Sequence, residues 1–172
     1  MDVAHVALVA GAALAAGAVN AIAGGGSLLT FPALVAAGLP TVTASVTNTV
    51  ALCPGYLGAT WAQRRELAGQ APRLGVLVPL SAVGGLAGGL LLLHTSESLF
   101  RTVVPFLILF AAVLLALQDV IRKRLFARAH DGRSLAFAAV PVGLAAIYGG
   151  YFGAGVGVIM LGFLAIALDD NI

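Results

Sequence analysis

Residues 19–32 read VNAIAGGGSLLTFP and place three consecutive glycines inside an apolar stretch that runs from Val3 to Leu39. One helix of about 35 residues would be much longer than the ~30 Å hydrocarbon core of a bilayer, because each residue adds about 1.5 Å. Glycine adopts backbone conformations that a helix does not use. The stretch therefore predicts a membrane-embedded helix that breaks at the glycines.

The rest of the chain also has the composition of a membrane protein. Of its 172 residues, 60% are hydrophobic and 9% are charged, compared with roughly 25% charged residues in a soluble domain. Further apolar stretches cover residues 42–62, 74–93, 99–117 and 135–168. Most of these are long enough for one membrane crossing. The sequence predicts an all-α fold, a polytopic transmembrane helix bundle with broken glycine-rich helices.

The last apolar stretch resembles the first one. It is also too long for one span, and glycines lie near its middle, so a second break is expected there. A shift of 130 positions aligns Leu14 with Leu144 and Gly25 with Gly155, which indicates an internal repeat. We predict a first transmembrane repeat over residues 1–133 and the start of a second, incomplete repeat over residues 134–172.

Glycines spaced four residues apart also allow helices to pack closely. This pattern occurs twice over at Gly84, Gly85, Gly88 and Gly89 and again at Gly149, Gly153 and Gly157. Close helix packing is the favoured interpretation for both sets.

The basic residues indicate the orientation of the chain. Eight of the nine Lys and Arg residues fall in two loops, near residues 63–73 and 119–133. The positive-inside rule places both loops in the cytoplasm. The formal net charge of +2 is too small to indicate nucleic-acid binding. The lipid bilayer is the expected environment, and no nucleic-acid partner is expected.

The apolar stretch 42–62 contains polar residues, which are unfavourable inside a membrane unless they have hydrogen-bond partners. Asn48 lies between Thr47 and Thr49, and an amide without a partner is costly there, so it should face the protein interior. Pro54 cannot bond to the carbonyl of Val50, which predicts a break in this helix as well. The polar residues either join helices by hydrogen bonds or bind a substrate, and both interpretations remain open.

The first glycine break favours anion binding. The amides after it lie at the positive end of the following helix, which Ser27 or Thr30 can cap, and broken transporter helices use this arrangement. The candidate substrate-binding residues are Asn20, Gly24, Gly25, Gly26, Ser27, Thr47, Asn48 and Thr49.

Other kinds of site are not indicated. Ser27 has no base at comparable depth, so an enzyme is not expected. The three histidines are too far apart in sequence to indicate a metal site, and no cofactor motif is present.

Several ordered motifs resemble one family. They are residues 20–32, Gly38-Leu39-Pro40, Thr47-Asn48-Thr49 and Arg64-Arg65-Glu66-Leu67. Together they are similar to the sulfite exporter TauE/SafE family, also called the toluene-sulfonate uptake permease family. Residues 148–157, followed by Asp169-Asp170, resemble the start of its second repeat. The resemblance implies a multi-pass carrier of the inner cell membrane for sulfite, sulfonates or related small anions.

The sequence departs from the family at its end, because family members continue after Asp169-Asp170 and this chain stops at Ile172. We therefore expect a truncated product or a fragment. Two functions follow: a transporter of small anions, for which a homo-oligomer is one way to complete the site, or a non-transporting membrane scaffold or inactive fragment.

Overall fold

The structure is a computed structural model that describes residues 2–23, 25–126, 135–157, 159 and 160. Within these residues the chain forms six α-helices and no strand. The helices are α1 (Val3–Ala23), α2 (Ser27–Ala36), α3 (Thr41–Ala62), α4 (Ala71–Leu93), α5 (Glu97–Phe126) and α6 (Leu135–Tyr151). The predicted all-α fold is confirmed.

Three segments are long and apolar enough to cross a membrane: Val3–Ala21, Ala71–Leu93 and Glu97–Leu114. Many of their large apolar side chains are exposed, for example Leu14 and Leu86. Lipid can cover such side chains, whereas water would not favour them. Length, composition and exposure together confirm a polytopic helical membrane protein.

The first long apolar stretch breaks at its glycines, as predicted. Helix α1 ends at Ala23 and α2 begins at Ser27. A Cβ atom built on Gly26 would lie 2.0 Å from the carbonyl oxygen of Ala16, about two turns before the end of α1. The chain therefore folds back, and only glycine lets α2 start so close to α1. Gly24 lies outside the described residues.

The last apolar stretch is broken too, which confirms the second predicted break. Helix α6 ends at Tyr151, and the chain is helical again at Val156. Between them Gly153 and Gly155 have φ angles of +77° and +76°. Residues with a side chain rarely adopt such angles. The packing interpretation was therefore wrong for Gly153, which lies in the break.

Helices α4 and α6 pack with their backbones in contact. A Cβ atom built on Gly88 would lie 2.0 Å from the carbonyl oxygen of Ile147, and one built on Gly150 would lie 2.0 Å from that of Gly85. A Cβ atom on Gly84 would lie 2.8 Å from the Cβ atom of Ala146. The packing interpretation is confirmed for Gly84 and Gly88 of α4.

Helix α3 runs without interruption from Thr41 to Ala62, with Pro54 inside it. The predicted break at Pro54 was wrong. Proline removes one hydrogen bond to the preceding turn, but the bonds before and after it hold the helix together. Proline is tolerated in membrane helices because neighbouring groups and local adjustments satisfy the freed carbonyl.

Aromatic rings hold the second break against α2 and α5. Phe31, Phe100 and Phe152 are fully buried in one apolar cluster. The ring centroids of Phe31 and Phe152 are 5.0 Å apart, with the rings edge to face. Those of Phe100 and Phe152 are 6.2 Å apart. The cluster also contains Ala44 of α3 and Leu92 of α4, and Val9 of α1 packs against it, so helices α1 to α5 and the second break share one core.

A carboxylate at the start of α5 caps the start of α3. The Glu97 carboxylate accepts a hydrogen bond from the Thr41 hydroxyl at 2.6 Å and one from the Val42 N–H at 3.1 Å. The Thr41 N–H donates to it as well. A negative charge is favourable at a helix N-terminus, so this contact ties α5 to α3 at one end of the bundle.

Candidate functional site

The two glycine breaks meet beside α3. We call this region the junction, and it comprises residues 25–30 at the first break, residues 45–49 of α3, and residues 152–155 at the second break. Side-chain hydrogen bonds connect all three segments. The junction therefore brings together parts of the chain that are more than a hundred residues apart in sequence.

Ser27 connects the two breaks directly. Its side chain is 1% exposed, and its Oγ accepts a hydrogen bond from the Gly155 N–H at 2.8 Å. Ser27 is the first residue of α2, and no side chain caps that helix. The expectation that Ser27 or Thr30 caps α2 was therefore wrong. The Ser27 hydroxyl oxygen instead accepts a hydrogen bond from the Gly155 N–H, which lies in the second break.

Helix α3 holds the second break from the other side. The Ser45 hydroxyl, which is 2% exposed, donates to the Phe152 carbonyl oxygen at 2.9 Å. The Thr49 hydroxyl donates to the Ser45 carbonyl oxygen at 3.0 Å. A Cβ atom built on Gly153 would lie 2.6 Å from Thr49 Oγ1, so glycine is needed for this approach.

Asn48 is the buried amide of the junction and is 2% exposed, which confirms that it faces the interior. Its Oδ1 accepts a hydrogen bond from the Thr30 hydroxyl. Its Nδ2 has no hydrogen-bond partner among the described residues. The Thr30 hydroxyl can bond to either the oxygen or the nitrogen of the Asn48 amide, but not to both. Whichever way the amide is turned, its other polar atom therefore stays unpaired. An unpaired buried polar group costs about 1–3 kcal/mol.

The junction is electrically neutral but offers hydrogen-bond donors. Neither residues 3–63 nor residues 134–168 contain Asp, Glu, Lys or Arg, and all three segments of the junction lie in these ranges. The Asn48 Nδ2 carries two N–H groups. The amides of Leu28, Leu29 and Thr30 donate to the Gly25 and Gly26 carbonyl oxygens, and the N-terminus of α2 is the positive end of its helix dipole. The local field therefore favours a negatively charged ligand.

The structure places the predicted site residues in three ways. Gly25, Gly26, Ser27, Asn48 and Thr49 lie in the junction. Asn20 is half-buried on α1, where its Cβ atom would lie 2.9 Å from one built on Gly26, and its side chain makes no hydrogen bond to a described residue. Thr47 belongs to the α3 segment of the junction, but it is exposed on a different face from Asn48. Substrate binding by these residues remains a prediction.

Sequence reasoning missed part of the junction. Ser45 was not singled out, because one serine in a helix rich in Ser and Thr carries no signal of its own. The carbonyl of Phe152 could not be predicted as an acceptor. The alignment of Gly25 with Gly155 was the available signal that the two breaks correspond, although it did not show that they touch.

The fold and the junction define a polytopic helical membrane protein in which two broken helices meet beside a buried amide. The chain belongs to the sulfite exporter TauE/SafE family, whose family model matches residues 9–172. No solved structure matches the chain.

Curated relatives are named as probable membrane transporter proteins. The chain is 31% identical to YfcA of Escherichia coli K12 over 147 residues, which cover 84% of this chain and 53% of that protein. It is 31% identical to ORF9 of a Sinorhizobium species over 166 residues, or 91% of this chain and 59% of that protein. A Haemophilus influenzae relative is 31% identical over 146 residues, or 83% and 55%. The chain thus spans somewhat more than half the length of these relatives.

Proposed function

We propose that this chain acts in the transport of small anions, such as sulfite and organosulfonates, across the inner cell membrane, and that the anion binds at the junction. The observation that carries the proposal is the unpaired Nδ2 of Asn48, which is buried where the two glycine breaks meet. An unpaired buried N–H group destabilises the folded protein. A ligand that accepts a hydrogen bond from the Asn48 Nδ2 would explain why this group is kept in the interior.

An anion is the ligand that fits the local electrostatics. The α2 N-terminus directs the positive end of a helix dipole to the region where Asn48 supplies N–H donors. The segments that form the junction contain no carboxylate that would repel an anion. Helix ends of this kind hold anionic substrate groups in transporters with broken helices. The relatives are named as probable membrane transporter proteins, which supports a role in transport.

The proposed arrangement in the membrane follows from the basic residues and the repeat. The segments near residues 63–73 and 119–133, which were predicted as loops and include the start of α4 and the end of α5, lie in the cytoplasm. Repeats over residues 1–133 and 134–172 each contribute one glycine break. The bond between Ser27 and Gly155 crosses the boundary between these repeats, so the substrate site lies at their interface. A homo-oligomer can contribute further walls to that site.

Transport is favoured over catalysis by the residues of the junction. General acid–base chemistry needs a titratable group within reach of the substrate, and nucleophilic chemistry needs a base beside the nucleophile. The junction segments supply Ser, Thr and Asn side chains and no such base. We therefore propose that the substrate crosses the protein unchanged.

The test is anion flux in proteoliposomes. The wild-type chain, Asn48→Ala, Thr43→Ala and empty vesicles are compared for uptake of labelled sulfite and methanesulfonate. Thr43 is exposed on α3 and is the matched control. We expect uptake by the wild type and by Thr43→Ala, and at least about a tenfold loss in Asn48→Ala, equivalent to ~1.4 kcal/mol.

Two outcomes would count against the proposal. No uptake above empty vesicles would contradict anion transport by this chain and favour a membrane scaffold. Equal uptake by Asn48→Ala and the wild type would contradict the junction as the site.

A further inference from the structure

The junction can bind an anion only with neutral groups. Its side-chain donors are the amide of Asn48 and the hydroxyl of Ser27, and the N–H groups of Leu28, Leu29 and Thr30 already donate to the Gly25 and Gly26 carbonyl oxygens. Because Ser27 Oγ accepts from the Gly155 N–H, its own proton remains available for a ligand. Residues 3–63 and 134–168 contain no Lys or Arg that could neutralise a bound charge.

The charge of the ligand therefore decides how easily it enters. In the Born description, the cost of removing an ion from water rises with the square of its charge, so a dianion costs about four times as much as a monoanion of equal size. Neutral donors stabilise a dianion only about twice as well as a monoanion, because their energy rises with the first power of the ligand's charge. A second charge thus adds more cost than gain.

We infer that the junction selects oxyanions that carry a single negative charge and rejects those that carry two. This inference rests on the proposed function. Sulfonates without a second acidic group meet the condition, because the sulfonate group has one charge spread over three oxygens. Bisulfite meets it, whereas sulfite with two charges and sulfate do not. Phosphate monoesters in their doubly charged form are excluded in the same way.

The protein itself should not add a pH dependence near neutrality. Among the described residues, two titratable side chains touch the junction: the Tyr148 hydroxyl donates to the Ala154 carbonyl oxygen at 2.9 Å, and the Cys53 Sγ donates to the Thr49 carbonyl oxygen at 3.5 Å. Tyrosine and cysteine side chains ordinarily stay protonated near neutral pH. A change in flux between mildly acidic and mildly basic conditions should therefore reflect the charge of the substrate.

The inference is tested by competition in proteoliposomes that contain the wild-type chain. Uptake of labelled methanesulfonate, which keeps one charge, is measured at equal pH on both sides of the membrane. Unlabelled sulfate or sulfite is the competitor, at one pH below and one above the value at which bisulfite loses its proton. Direct uptake of labelled sulfite and labelled sulfate is measured in parallel.

We expect methanesulfonate uptake to be the same at both pH values. Sulfite should inhibit it about tenfold more strongly at the lower pH, in proportion to the bisulfite present, and sulfate should not compete at either pH. Competition by sulfate within about threefold of unlabelled methanesulfonate would overturn the selection by charge and leave anion transport standing. Uptake of none of the three anions would overturn both the inference and the proposed function.

Discussion

The side-chain oxygen of Ser27 accepts a hydrogen bond from the backbone N–H of Gly155 at 2.8 Å, so the two glycine breaks of the chain are joined to each other. One residue begins a helix and the other lies in the break before a helical segment. Each break leaves backbone groups without helical partners, and here one break supplies the partner that the other lacks. The contact positions both breaks around Asn48.

Replacing Ser27 by alanine should destabilise the protein. The Gly155 N–H would stay buried without its partner, which costs about 1–3 kcal/mol. The apparent Tm in detergent should fall by several degrees. Ser98→Ala is the control, because Ser98 is exposed on α5. An equal Tm for Ser27→Ala and Ser98→Ala would show that the bond does not hold the breaks together.

Replacing Gly88 by alanine should separate α4 from α6. The new Cβ atom would lie 2.0 Å from the Ile147 carbonyl oxygen, so one helix must move. We expect a loss of about 1–3 kcal/mol, the usual cost of overpacking, seen as a lower apparent Tm. Gly75→Ala, on the same helix with no atom within 4 Å, should keep or raise the Tm. A Tm for Gly88→Ala as high as that of Gly75→Ala would contradict the close packing.

Comparing Gly153→Ala with Gly38→Ala distinguishes the cost of backbone strain from the cost of a steric clash. Both glycines have positive φ angles, +77° and +91°. A side chain on Gly38 meets no atom within 4 Å, whereas one on Gly153 would lie 2.6 Å from Thr49 Oγ1. Gly38→Ala should cost about 1–2 kcal/mol from strain alone. Gly153→Ala should lower the apparent Tm further, and equal losses would refute the contact with Thr49.

Glu97→Gln should weaken the attachment of α5 to α3. Glutamine keeps an acceptor oxygen but removes the negative charge at the α3 N-terminus, which typically contributes about 0.3–1 kcal/mol. The apparent Tm should fall slightly at low salt, and the difference should shrink at high salt because salt screens exposed charges. Glu66→Gln, in the exposed loop after α3, is the control. A difference that does not depend on salt would contradict an electrostatic role.

Much of the fold could be predicted because membrane length limits the helices. An apolar stretch of about 35 residues cannot stay one helix inside a bilayer, so breaks at the two glycine clusters followed from length and composition. The prediction failed at Pro54, since one missing hydrogen bond does not end a membrane helix. It also failed to separate Gly153, which turns the chain, from Gly88, which packs helices, because both follow the same spacing.

The junction was only partly predictable. The polar character of Asn48 in an apolar stretch required that it face the interior, and it does. Its unpaired Nδ2 depends on where Thr30 and the second break lie, which is a property of tertiary packing. For the same reason the role of Ser45 was missed and the position of Thr47, on a different face of α3, was not foreseen.

The most direct test of the central claim, that an anion binds at the junction through Asn48, is equilibrium binding of labelled methanesulfonate to purified protein. Wild type, Asn48→Ala and Thr43→Ala are compared after each is shown to have the same apparent Tm within the error of the assay. We predict saturable binding to the wild type and to Thr43→Ala, and at least about a tenfold weaker Kd for Asn48→Ala. Saturable binding with the same Kd in all three proteins would contradict the claim.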